Sequence, residues 1–109
     1  MIKFLQSLIK KNYEDCDGRE FKARLNENTN AVLVDVRSAS EFKSGTIKGA
    51  KNSNMLSPSF SSEIISMDPT KTYFVFCRSG SRSGIAANMM SKIGLKVINL
   101  KDGISAWPR

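Results

Sequence analysis

Tyr73-Phe74-Val75-Phe76-Cys77-Arg78-Ser79-Gly80-Ser81-Arg82-Ser83-Gly84 is the stretch whose reading decides the fold. Its four opening residues are apolar, aromatic or β-branched, as in a strand buried on both faces. A cysteine, two arginines, two glycines and three serines follow within eight residues. From Ser83 the spacing changes, and Ile85, Ala86, Met89, Met90 and Ile93 recur with a helical period. The stretch therefore predicts a strand, a tight polar loop and a helix, with a cysteine at the carboxyl end of the strand.

That arrangement suits an anion site built around a nucleophile. A short loop wrapped above a helix N-terminus can turn several N–H groups inward and form a nest of partial positive charge. Gly80 and Gly84 permit the dihedrals such a wrap needs. A cysteine at the floor of the nest has its thiolate stabilised by the N–H groups, the helix end and nearby arginines. The thiolate is the nucleophilic form, and the same cradle binds the anion it attacks. A lone cysteine is more often simply packed; here the charge and glycine context points to function.

The segment Cys77-Arg78-Ser79-Gly80-Ser81-Arg82-Ser83 resembles the active-site loop of single-domain rhodanese-like sulfurtransferases. Three further stretches resemble that family in the same order: Asp35-Val36-Arg37 with Glu41-Phe42, then Gly45-Thr46-Ile47-Lys48-Gly49-Ala50-Lys51-Asn52, then Asp102-Gly103-Ile104-Ser105-Ala106-Trp107. The resemblance implies Cys77 as the catalytic residue, with Arg78, Ser79, Gly80, Ser81 and Arg82 forming the substrate-binding loop. It gives Asp35, Arg37 and Glu41 a supporting role. Asp35 would steady the loop with Arg82 as its partner, and Arg37 would pair with Glu41. Two positions depart from the family pattern: Thr46 stands where a histidine is usual, and Asp102 where a glycine is.

Composition narrows the alternatives. With 109 residues the chain supports one small domain with one core. No apolar run approaches the ~20 residues a membrane helix requires, so no membrane association is expected. The two cysteines lack CxxC spacing and the chain has no histidine, which argues against a zinc site, a disulfide framework and any imidazole base. Lys10 and Lys11 follow the first apolar patch where a signal peptide would carry small residues; the cytoplasm is the expected location. The formal charge of +7 attracts anions in general. No block of five like charges occurs, so the lysines read as a solvated basic surface and nucleic acid is not expected as a partner.

The other elements follow from pattern. Ile2, Leu5, Leu8 and Ile9 predict an amphipathic helix over 1–12, packed on the domain or docking a partner, ahead of a rhodanese-like domain over 13–109. A short edge strand is expected at Tyr13 to Cys16. A helix capped by Asp17 with Glu20 at capping-box spacing comes next, and Cys16 reads as a packing residue. Ala31 to Val36 is a second buried strand, interrupted by Asp35, whose carboxylate needs a partner there. Ser38 and Glu41 again have capping-box spacing, and Ser57-Pro58 predicts the start of a helix running through Ile64 and Ile65. Asp68-Pro69 breaks that helix before the central strand. Gly94 ends the helix after the loop, and Lys96 to Leu100 form the last strand. Strands alternating with helices predict an α/β domain whose mostly parallel central sheet is flanked by helices on both sides.

The resemblance implies sulfurtransferase chemistry of the thiosulfate:cyanide type, through a Cys77 persulfide and without a metal or organic cofactor. A small anionic sulfur donor and a thiol, cyanide or protein acceptor are the expected partners, and the chain is expected to act as a monomer. Two alternatives stay open. Cysteine phosphatases of the same fold count seven residues from Cys to Arg, against six from Cys77 to Arg82. Rhodanese-like domains that have lost their cysteine act as binding modules, whereas this chain keeps Cys77. Whether Arg78 or Arg82 faces the substrate is not decided by the sequence.

Overall fold

The computed structural model describes residues 12–108; the helix expected over 1–12 lies almost wholly outside the described residues. Five strands form one sheet in the order β1-β5-β4-β2-β3, and every pairing is parallel. The strands are β1 (Glu14–Cys16), β2 (Ala31–Asp35), β3 (Lys51–Asn52), β4 (Thr72–Phe76) and β5 (Lys96–Leu100). The helices are α1 (Gly18–Glu27), α2 (Ala39–Ser44), α3 (Phe60–Ile65) and α4 (Ser81–Lys92), with a 3-10 turn at Ile104–Ala106.

Side chains alternate across β4, and this alternation builds two cores. Tyr73, Val75 and Cys77 join Phe60, Ile64, Ala86, Ala87 and Met90 on the face covered by α3 and α4. Phe74 and Phe76 join Phe21, Leu33, Ile98 and Leu100 on the opposite face, against which Leu25 of α1 and Trp107 also pack. Phe21 stands edge-on to both Phe74 and Trp107, with ring centroids 5.4 and 6.2 Å away. A parallel sheet needs both faces covered, and the unbroken apolar runs of β2 and β4 supply the two-sided burial.

Three boundaries differ from the sequence reading. The segment 45–52 ends in a two-residue strand, β3, paired with β2 at Val34↔Lys51 and Asp35↔Asn52. Helix α3 begins at Phe60, after Ser59, because Ser57 and Pro58 are spent on a turn closed by Phe60 N–H donating to the Ser57 carbonyl at 3.0 Å. Helix α4 begins at Ser81, two residues before the periodicity becomes visible.

Candidate active site

Register places the site. Asp35 pairs with Phe76 at the carboxyl ends of β2 and β4, so Val36 and Cys77 leave the sheet side by side. Ligands of open parallel sheets sit beyond those ends. The chain continues from Cys77 into Arg78-Ser79-Gly80 and at once into α4, whose N-cap is Gly80 with φ 98° and ψ −13°. This is left-handed backbone, natural to glycine. A Cβ at Gly80 would also lie 1.8 Å from the Lys101 carbonyl oxygen, so the strand-end loop after β5 fits only a glycine there. From the other side, Gly103 packs against the Arg78 carbonyl, and Ile104 N–H donates to the Cys77 carbonyl at 2.9 Å.

The tight wrap turns the helix start onto the cysteine sulfur. No side chain caps α4, so its first N–H groups have no intrahelical partner. Gly80 N–H lies 3.1 Å from Cys77 Sγ, Ser83 N–H 3.3 Å, and the Ser83 hydroxyl 3.3 Å. Cys77 is buried, with 0 % of its surface exposed. Burial pushes the thiol pKa up, but the Ser83 hydroxyl and the N–H groups of Ser83, Ser79 and Gly80 outweigh it, and the pKa lies below the ordinary thiol value. Cys77 is therefore held as a thiolate more readily than a free cysteine.

The carboxylates and arginines are partnered differently from the sequence reading. Asp35 pairs with Arg37, not Arg82. Arg37 Nη2 lies 2.7 Å from Asp35 Oδ2, Arg37 Nε 3.0 Å from Oδ1, and Arg37 N–H donates to the same Oδ1 at 2.9 Å. The reason is the pleat: Asp35 shares its face with Leu33 and Phe76, while α4 covers the other. Thr46 Oγ1 adds a hydrogen bond to Asp35 Oδ2 at 2.9 Å. Asn52 Nδ2 donates to the Asp35 and Arg37 carbonyls at 2.9 Å each. Both ions of this pair are buried, and removing one partner would leave the other uncompensated at a cost of about 3–5 kcal/mol.

Arg82 pairs instead with Glu41, two-pronged, at 2.8 and 3.0 Å. Glu41 closes the capping box of α2 as well: Glu41 N–H donates to Ser38 Oγ at 3.2 Å, and Ser38 N–H donates back to Glu41 Oε1 at 3.1 Å. The Arg82 guanidinium, with smaller help from Ser38, holds the Glu41 carboxyl down at about 2. Arg82 is thus an anchor between α4 and α2, with its charge already met. Arg78 is exposed and, among the described residues, has no ion-pair partner. Ser79 and Ser81 are exposed as well.

Ser83 is the functional candidate the sequence reading passed over. Its signal was present: a serine in register with Ala86, Ala87 and Met90, all buried on the inner face of α4. A hydroxyl on an apolar stripe needs a partner, and here that partner is Cys77.

Comparison with known proteins matches residues 17–109 to the rhodanese-like domain. The chain belongs to the rhodanese-like family. A protein of Allochromatium vinosum named sulfurtransferase is 34 % identical over 97 residues, spanning 87 % of this chain and 88 % of its own. A rhodanese-like domain protein of Staphylococcus aureus superposes with a TM-score of 0.76 at 26 % identity, over 87 % of this chain and 91 % of that one. The reduced CoADR-RHD of Bacillus anthracis aligns with a TM-score of 0.74 at 28 % identity, over 86 % of this chain but 16 % of that one. The rhodanese-like fold thus occurs both nearly alone and as a small part of a larger chain. Among the described residues of this rhodanese-like domain, no helix is long and apolar enough to cross a membrane, and no three His, Cys, Asp or Glu side chains cluster as metal ligands would.

Proposed function

We propose that this rhodanese-like domain is a sulfurtransferase in which Cys77 carries a sulfane sulfur as a persulfide. The observation that carries the reading is the convergence of Gly80 N–H, Ser83 N–H and the Ser83 hydroxyl on the buried Cys77 sulfur. In loading, the Cys77 thiolate attacks the outer sulfur of a donor such as thiosulfate. The Sγ–S bond forms, the donor's S–S bond breaks, and its electron pair leaves on sulfite. In discharge, a nucleophile such as cyanide or a thiolate attacks the outer persulfide sulfur, and the pair from the breaking S–S bond returns to Cys77 Sγ. Neither half-reaction requires a metal or an external oxidant.

The remaining loop residues take roles from their positions. The inward-turned N–H groups of the loop from Arg78 to Arg82 also serve the charge on the persulfide's outer sulfur. Arg78, exposed and unpaired among the described residues, attracts the anionic donor, while Arg82 is engaged with Glu41. Asp35, Arg37 and Glu41 hold the frame. Two unpaired cysteines suit a reducing compartment such as the cytoplasm, where a protein-borne persulfide or thiol can act as donor or acceptor. A ring of six residues and a sulfur with no exposed surface favour a slender sulfur atom over a phosphoryl group with its three equatorial oxygens.

Incubation with thiosulfate is expected to add the mass of one sulfur atom to the wild type and to Cys16→Ser, and nothing to Cys77→Ser. The same preparation is expected to leave an aryl phosphate almost untouched. An unmodified protein that gains no sulfur and turns over aryl phosphate would reverse the assignment in favour of a phosphatase.

A further inference from the structure

Ser83 stands in an unusual relation to the reaction. It is buried, with 0 % of its surface exposed, and its hydroxyl makes one hydrogen bond among the described residues, to Cys77 Sγ at 3.3 Å. The inner sulfur receives no other side-chain hydrogen bond among the described residues; its remaining contacts are backbone N–H groups. With no histidine in the chain, no imidazole can take over. The hydroxyl addresses Sγ, the atom that is nucleophile in one half-reaction and leaving group in the other.

We infer that the Ser83 hydroxyl is a catalytic group of the discharge step, stabilising the Cys77 thiolate as it leaves the persulfide. This inference rests on the sulfur-transfer reading. In the persulfide, Sγ is a bridging sulfur with little charge and the negative charge sits on the outer sulfur. A hydrogen bond to Sγ is then weak. When cyanide attacks the outer sulfur, a C–S bond forms, the S–S bond breaks and its electron pair moves onto Sγ. Thiocyanate keeps the outer sulfur with its charge, and Cys77 regains a thiolate; two anions enter and two leave. The Ser83 hydroxyl meets charge that develops only along that path, which is the condition for lowering a barrier.

Loading runs the other way. The thiolate gives up its charge as it attacks, so the hydroxyl's bond weakens toward the transition state. Ser83 therefore raises the ionised fraction of Cys77 while making each thiolate less reactive. Above the thiol pKa the first effect vanishes and the second remains. Asymmetry between the half-reactions is the signature of this role, since general damage to the loop would slow both.

The test measures the two half-reactions separately on the full chain by rapid mixing and mass spectrometry, well above the thiol pKa. Ser83→Ala removes the hydroxyl and keeps a helix-forming residue of similar size; Ser83→Thr restores it. The alanine variant is expected to discharge to cyanide roughly tenfold more slowly, with loading by thiosulfate unchanged or faster. The threonine variant should recover discharge. Equal slowing of both steps in Ser83→Ala, or no slowing of discharge, would overturn the inference while leaving sulfur transfer in place. A wild type that never gains the sulfur would overturn the sulfur-transfer reading and this inference with it.

Discussion

Cys16 and Cys77 occupy matching places in the fold and behave as opposites. Each sits at the carboxyl end of a parallel strand or just past it, each precedes a helix, and each is buried and unpaired. Each also has an arginine close by that a glutamate already engages. Arg24 Nη1 lies 3.5 Å from Cys16 Sγ while its Nη2 holds Glu14 at 2.8 Å, and Arg82 holds Glu41. Yet burial and Glu20 push the Cys16 thiol up, Arg24 opposing them, whereas Cys77 goes down. The arginines cannot make the difference. The helix entrance does: Asp17 alone separates Cys16 from α1, and its carboxylate takes the Glu20 N–H at 2.9 Å. Ahead of α4 three residues, Arg78, Ser79 and the left-handed Gly80, leave the N–H groups uncapped, and the sulfur receives them. A strand-end cysteine has its thiol pKa lowered when its own sulfur takes the N–H groups at the helix start.

The comparison breaks most severely at Gly80. An alanine there meets the cost of left-handed backbone, about 1–2 kcal/mol, and a Cβ 1.8 Å from the Lys101 carbonyl oxygen. The loop must shift, and sulfur loading is expected to fall by orders of magnitude with a clear loss of melting temperature. Gly94 has nearly the same φ, 95°, but open space around it. Gly94→Ala should lose only the backbone term and keep full loading. Comparable activity in the two variants, read by persulfide mass and thermal melting, would show that the tight wrap at Gly80 is unrelated to the state of Cys77.

Reactivity sharpens the same contrast. Alkylation of Cys77 followed against pH should show a midpoint below that of an ordinary thiol, about 8.5. In a Cys77→Ser background, Cys16 should react slowly and only at higher pH, since it is buried and its ionisation is opposed. A Cys77 midpoint at or above the ordinary value would mean that the burial of the sulfur outweighs its hydrogen bonds.

Much of this was legible in the sequence because it depends on local chemistry. The run Tyr73 to Phe76, the final strand Lys96–Leu100 and the Ser38–Glu41 capping box each declare themselves over a few residues. The partners of Asp35 and Arg82 were not legible, because they depend on which face of the sheet a side chain takes. Asp35 looked toward Arg82 when its distance from Cys77 was considered, but one step of the pleat turns it to the other face. Arg37, two residues on, then reaches back with its guanidinium and its own N–H. β3 was missed for a different reason: two residues carry no periodicity, and its existence depends on β2 offering a free edge. Ser83 was visible only as a polar residue out of place on an apolar stripe, and its role needed the sulfur beside it.

The smallest expected effect tests whether the arginine beside Cys77 is neutral in the way claimed. Glu41→Gln keeps the capping box, since glutamine serves at that position, and removes only the charge facing Arg82. The pair is partly exposed, so its loss should cost about 1 kcal/mol or less. The pH dependence follows from the direction of the shift: the Glu41 carboxyl lies at about 2 in the fold against an ordinary value of 4.5. Its contribution is therefore fully present above about pH 4.5, dwindles as the pH falls below that, and is gone below about 2. Wild type and Glu41→Gln should thus differ in melting temperature at pH 7 and converge at pH 2. At the same time Arg82, no longer matched, should draw the Cys77 alkylation midpoint slightly further down. A stability gap that persists unchanged to pH 2 would mean that Glu41 acts through the cap and not through its charge. An unchanged midpoint would place the Arg82 guanidinium too far from the sulfur to matter even when freed, leaving the backbone N–H groups and Ser83 as what lowers the Cys77 thiol.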